Sequence, residues 1–202
     1  QINGLLRAWE WSMTRRIAGH GGLICVSKTV AMATAGQLGL APACLKVIPN
    51  GVDLEVFRAD RRGEDPRVEW QLDPGTPLVY HVSRYLESKR IDDFMEAASI
   101  VTRRWKGIGP SPAFLNMGGG PAHLELFYEH KLSKYDRAVR IRLEGERLDL
   151  ARLLPWGDVG VMASENEGCP NTILEYMAAG LPMAVTDIPP ILELLRAGQD
   201  AL

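Results

Sequence analysis

Short β-branched or apolar runs alternate along the chain with longer stretches of mixed polarity. This is the arrangement expected of a parallel sheet joined by crossover helices. Strands are expected at 23–26, 46–49, 78–82, 113–117, 139–143, 159–163 and 183–186. Helices are expected over 2–17, 28–38, 91–105, 122–134, 150–153, 171–179 and 190–196. Ile91, Phe94, Met95, Ala98 and Val101 recur at helical spacing and give their helix one core-facing stripe. Several apolar runs lack alternation, as for strands covered on both faces. The fold class is therefore α/β, a parallel sheet with helices on both faces.

Breaks in the pattern divide the chain. A boundary follows Asn50-Gly51-Val52-Asp53, and residues 58–76 form a polar stretch interrupted by Pro66, Pro74 and Gly75. The expected organisation is the end of an N-terminal α/β domain over 1–57, a linker over 58–76, and a second α/β domain over 77–202, truncated at its C-terminus. The first piece holds only two expected strands, too few to bury both faces, and should leave apolar surface exposed. The chain thus reads as an excerpt from a longer protein.

Composition narrows the function. With 46% hydrophobic and 24% charged residues the chain is no disordered polymer. A formal net charge of −2, with tryptophans not interleaved among basic clusters, argues against a nucleic-acid partner. Cys25, Cys44 and Cys169 are odd in number and lack metal-ligand spacing, so a reducing cytoplasm is expected. The first sixteen residues lack the apolar centre of a signal peptide. Residues 29–45 are too few and too polar to span a bilayer, and a soluble protein is expected.

Four unusual segments each follow directly on an expected strand. They are Ser83-Arg84-Tyr85-Leu86-Glu87-Ser88-Lys89-Arg90, Gly118-Gly119-Gly120-Pro121, Glu144-Gly145, and the stretch from Ser164 through Glu167, Gly168, Cys169 and Pro170 to Asn171. Parallel strands end on one edge of their sheet, where open α/β folds bind ligands, so the four describe a cleft. In the last segment a loop feeds a helix beginning near Asn171, aiming free amides and the positive dipole end at that cleft. Glu167 and Glu175 could accept hydrogen bonds from vicinal hydroxyls; they also fit a charge–dipole residue and a solvated helix residue. Arg84 and Lys89 suit a diphosphate, or a solvated loop. Gly118–Gly120 would let backbone approach a ligand, or make a tight turn. Asp92-Asp93 reads as N-terminal capping in preference to a metal pair. His20, His81, His123 and His130 share no ligand spacing and read as structural or exposed. Cys169 has no activating base beside it in sequence.

Together these segments carry a resemblance. Residues 167–182, from Glu167-Gly168-Cys169-Pro170-Asn171 through Glu175 to Pro182, resemble the E-x7-E signature of the family 4 (group 1) retaining glycosyltransferases of GT-B fold. Ser83-Arg84 through Lys89 is similar to the family's S/G-R-L-x-x-x-K element, and Gly118-x-Gly120-Pro121 to its G-x-G-P loop. Asn50-Gly51-Val52-Asp53 with Phe57 resembles the N-G-V-D-x-x-x-F start of its linker. Tyr85, Arg90 and Cys169 depart from the family's usual residues, Arg90 standing where Gly is common. The resemblance implies a Rossmann-like donor-binding domain and transfer of a sugar, with retention, from a nucleotide-diphosphate sugar to a glycan or lipid-linked acceptor. Arg84 and Lys89 would hold the diphosphate, helped by the amides around Gly168–Asn171. Glu175 would bind the ribose and Glu167 would face the sugar. Gly118, Gly120, Glu144, Ser164, Cys169 and Pro170 would complete the donor site. No metal or other cofactor is implied, the base (UDP, GDP or ADP) stays open, and the intact cytoplasmic protein has room for peripheral membrane contact. The other readings are a sugar epimerase or phosphorylase of GT-B fold, and a nucleotide-sugar binder without transferase activity. Residues 1–202 alone are expected to bind donor weakly without transferring it.

Overall fold

The computed structural model describes residues 2–200 except 61, 108 and 197, with side chains from residue 10 onward. It opens with helix α1 (Ile2–Gly21), strand β1 (Leu23–Cys25), helix α2 (Lys28–Leu38) and strand β2 (Leu45–Val47). β1 and β2 pair in parallel as a two-stranded sheet. As expected of so small a sheet, apolar side chains stay in the open, with Ile24 70% and Met32 75% exposed.

A short helix α3 (Pro66–Glu69) precedes the main sheet. That sheet contains β3 (Leu78–Val82), β4 (Ala113–Met117), β5 (Arg140–Leu143), β6 (Val159–Met162) and β7 (Met183–Val185). All of its pairings are parallel, in the order β5-β4-β3-β6-β7. The crossovers carry α4 (Ile91–Arg104), α5 (Ala122–Leu132), α6 (Leu150–Leu153) and α7 (Asn171–Ala178), and α8 (Pro189–Leu192) follows β7.

Alternation along β4 shows why both faces are covered. Leu115 and Met117 join one core with Leu78, Tyr80, Ile173 and Tyr176. Phe114, just before Leu115 and on the opposite face of the strand, joins a second core with Ile91, Phe94, Met95 and Ala98 on α4. Every residue of β4 is buried, Asn116 included, which is why the strand shows no alternation of apolar with exposed polar positions. The stripe on α4 ends before its last turn: Val101, expected inside, is 39% exposed.

Element positions follow the sequence expectation and the ends differ. The first helix runs to Gly21 instead of residue 17, and β2 starts one residue earlier. The stretch read as a linker is docked. Asp65 caps α3 through Arg67 N–H, and Trp70, 2% exposed, fills the first core. Trp70 Nε1 donates to Glu144 Oε2 at 2.9 Å, and Trp156 Nε1 donates to the Gly63 carbonyl at 3.2 Å. Asp53 makes a local turn, its Oδ1 accepting from Glu55 N–H at 2.8 Å.

Two further contacts fix the first piece against the second. Glu193 accepts from the N–H groups of Lys28 and Thr29 and from the Thr29 hydroxyl, at 2.8, 2.6 and 2.6 Å, and so caps α2 from outside. A Cβ on Gly168 would lie 3.0 Å from the Val26 side chain, so the loop before α7 approaches β1 closely.

Candidate functional site

The chain builds outward from β3 through β4 to β5, then returns to place β6 on the other side of β3. The order therefore reverses between β3 and β6, and a crevice opens beyond their carboxyl ends. These two strands pair only at Val79↔Val159 and Tyr80↔Gly160. Past that point α7 satisfies β3: Val82 N–H donates to the Tyr176 hydroxyl at 2.9 Å, and the Thr172 hydroxyl donates to the Val82 carbonyl at 3.3 Å. Helix α7 is thus wedged into the fork with its first turn facing the crevice.

A cleft of about 700 Å³ occupies this position, and residues from all four post-strand loops line it. Arg84 and Lys89 come from the loop after β3, Gly118 and Gly120 from that after β4. Glu167, Cys169 and Pro170 come from the loop after β6, with Asn171 and Glu175 on α7. The two cations and the two carboxylates named from the sequence share one hollow.

Their states differ. The Arg84 side chain is exposed and makes no hydrogen bond or ion pair among the described residues, so its guanidinium is free for an anion. Lys89 is already engaged: its Nζ lies 2.5 Å from Glu167 Oε1, with side chains 19% and 11% exposed. This pair spans the crevice between the β3 and β6 loops, and it fixes the Glu167 carboxylate in place. Glu175 is half-buried, without a partner among the described residues, and burial pushes its carboxyl pKa up. The N–H groups of Asn171 and Thr172 are likewise unclaimed, since Pro170 at the N-cap has no side-chain acceptor.

The glycines keep the loops close to one another. A Cβ on Gly118, at φ 155°, would stand 2.1 Å from the Ser83 carbonyl oxygen, and one on Gly120 would stand 2.6 Å from Tyr85 Cβ. Ser83 N–H donates to Met117, and Tyr85 N–H donates to Gly119, at 3.1 and 3.0 Å. The glycine run is thus a close approach of backbone to backbone that also borders the cleft.

Three expected donor-binding residues lie off the cleft. Glu144 turns away, taking Trp70 Nε1 and, at 2.7 Å, Arg142 Nε. Ser164 is buried below the loop, where its carbonyl accepts from the Thr186 hydroxyl at 2.7 Å. Gly168 faces Val26 and Val30.

Other residues join the lining without having been expected there: Asn50, Glu125, Glu146, Arg147 and Thr172. Asn50 was visible only as the first residue of the boundary and linker-entry motif, and Glu146 and Arg147 lie just beyond the segment singled out after β5. Glu125 Oε1 accepts from Gly120 N–H at 3.2 Å, so the amino end of α5 carries its own carboxylate. Arg147 pairs with Glu69 and Asp149 at 2.6 and 2.9 Å, tying α3 to the cleft wall.

The remaining candidates have structural settings. Asp92 and Asp93 lie in the first turn of α4 and pair with Lys131 and Arg90 at 2.6 and 2.7 Å. The N-cap is Arg90 and has no side-chain cap; Arg90 also pairs with Glu165. Arg90 adopts φ 54°, the left-handed conformation that explains a preference for Gly there. His81 is buried against Phe94, its Nδ1 3.0 Å from Asn116 Nδ2. Burial and the nearby Lys89 lower its pKa to about 3, so it stays neutral at physiological pH.

Comparison with known proteins places this geometry. Residues 76–202 match the profile of the family described as Glycosyl transferases group 1. The chain is 31% identical over 167 residues to the UDP-Gal:alpha-D-GlcNAc-diphosphoundecaprenol alpha-1,3-galactosyltransferase of Escherichia coli, covering 82% of this chain and 42% of the relative. It is 28% identical over 156 residues to the N-acetyl-alpha-D-glucosaminyl L-malate synthase of Bacillus anthracis, covering 76% and 38%. The chain thus spans less than half the length of either relative. Among solved structures, Anabaena Alr3699/HepE in complex with UDP-glucose superimposes with a TM-score of 0.77 at 19% identity, covering 93% of this chain and 51% of that one. WaaG, a glycosyltransferase involved in lipopolysaccharide biosynthesis, superimposes with a TM-score of 0.73 at 15% identity, covering 89% and 48%. The architecture is the parallel α/β arrangement of GT-B glycosyltransferases. With its profile match spanning most of the chain and its fold shared, this chain belongs to the group 1 glycosyltransferases.

Proposed function

We propose that the chain is the donor-binding side of a retaining glycosyltransferase, which moves a sugar from a nucleoside-diphosphate sugar to a glycan or lipid-linked acceptor. One observation carries the reading: free Arg84, the Lys89–Glu167 pair, the open amides of α7 and unpartnered Glu175 all border the crevice at the switch point. As the bond from the anomeric carbon to the diphosphate oxygen breaks, negative charge grows on the leaving group. Arg84, Lys89 and the Asn171 and Thr172 N–H groups stand where that charge can be stabilised. These groups supply the neutralisation, and the reading therefore needs no bound metal. Glu175 accepts from the ribose hydroxyls, which restore the hydrogen bonds that burial denies it. Glu167, steadied by Lys89, faces the sugar. Retention is the mode the family resemblance implies.

The Escherichia coli relative is named for a UDP-galactose donor and a diphosphoundecaprenol-linked acceptor, which favours a uridine diphosphate sugar over GDP and a lipid-linked acceptor here. Contact of the intact protein with such an acceptor is proposed as peripheral, from the cytoplasm; no described helix is long and apolar enough to cross a membrane. Because the chain spans 42% of that relative, it is proposed to bind donor without completing transfer. Calorimetric titration with UDP, GDP, ADP and their sugars tests the site. One nucleotide should bind the wild type, and Lys89→Ala and Glu175→Ala should each weaken it about ten-fold or more. Equal affinities in all three proteins would overturn the assignment. Robust transfer by the chain alone would overturn the binding-only proposal.

A further inference from the structure

Asn50 lies beyond the end of β2, 119 residues before Cys169, yet its side chain reaches the first turn of α7. Its Nδ2 donates to the Cys169 carbonyl and to Asn171 Oδ1, both at 2.8 Å. A carbonyl only accepts, so the nitrogen of Asn50 must face Cys169, and Asn171 must turn its oxygen toward that nitrogen. Between these two oxygens sits Pro170, the N-cap of α7, which has no N–H and no side-chain acceptor. The helix therefore starts without the side-chain cap that ordinarily takes up its first amides.

An Asn side chain at a helix start is a ready acceptor for nearby backbone N–H groups. Released, the Asn171 oxygen would compete with an incoming anion for the protons of α7. We infer that Asn50 is a positioning residue that holds the Asn171 side chain aside, keeping the first amides of α7 open to the donor diphosphate. The inference rests on the proposed function and adds a dependence: the anion site is correctly formed only while the stretch after β2 stays seated on α7.

The test uses whichever of UDP, GDP and ADP binds the wild-type chain most tightly, titrated calorimetrically in a double-mutant cycle. Asn50→Ala should weaken binding about five- to ten-fold. Made in an Asn171→Ala background, the same substitution should change affinity less than about two-fold, because the competing oxygen is gone. Asn50→Asp, which sets acceptor against acceptor, should weaken binding at least as much as Asn50→Ala. Both positions are exposed, and an unchanged melting temperature confirms that each variant folds. An equal cost of Asn50→Ala in both backgrounds overturns the inference and leaves the donor site standing. Failure of the wild type to bind any of the three nucleotides overturns the proposed function, and the inference with it.

Discussion

Glu175 is a half-buried carboxyl with no described partner, and its raised pKa records what that placement costs the ionised form. A group whose folded pKa lies above its unfolded value is best tolerated when protonated, so its charge lowers stability as pH rises through the folded pKa. Glu175→Gln should therefore leave the melting temperature at pH 7 unchanged or raise it, while weakening nucleotide binding by roughly ten-fold or more. Hydroxyl donors favour the carboxylate, so wild-type affinity should fall as pH drops through that raised pKa, and the slope should vanish in Glu175→Gln. Lys89 and Glu167 test the opposite case, a largely buried charge that is paired. Lys89→Met should cost roughly 3 kcal/mol in urea unfolding by stranding Glu167, and Lys89→Met with Glu167→Gln should recover most of it. The sequence named both residues. Their pairing was not legible, because it depends on two loops 78 residues apart meeting across the fork.

At the scale of elements, the site is made by loops that lean on one another. Gly118 is the tightest such contact, with the Ser83 carbonyl where a Cβ would stand. Gly118→Ala should therefore destabilise the chain by roughly 2–3 kcal/mol and lower nucleotide affinity in the fraction that folds, measured by unfolding and titration together. Neutral behaviour in both would remove the reason given for glycine there. The four loops could be read in the sequence because each follows an apolar run, and a parallel sheet gathers such ends on one edge. Residues 66–76 were harder. Polar residues surround Trp70 and the stretch reads as a linker, although Trp70 itself is core. Glu144 was misleading for the same reason: it follows a strand like the other candidates, yet its carboxylate is committed to Trp70 and Arg142.

For the whole molecule, the main sheet sets one crevice, and the amino-terminal piece is seated against it by Glu193 on α2 and Asn50 on α7. No sequence pattern announces those contacts, since each joins residues whose proximity only the assembled fold creates. Two helix starts border the cleft, and they are not equivalent. That of α5 carries an acidic residue in its first turn, Glu125, whose carboxylate accepts from Gly120 N–H, whereas the first turn of α7 carries none. The central claim is that a donor diphosphate sits against α7 beside Arg84. The most direct measurement is an amide chemical-shift titration of the isotopically labelled chain with UDP. The account predicts that the largest shifts fall on Asn171 and Thr172, with Gly120 moving much less. Shifts concentrated on the start of α5, or away from the cleft altogether, would contradict it.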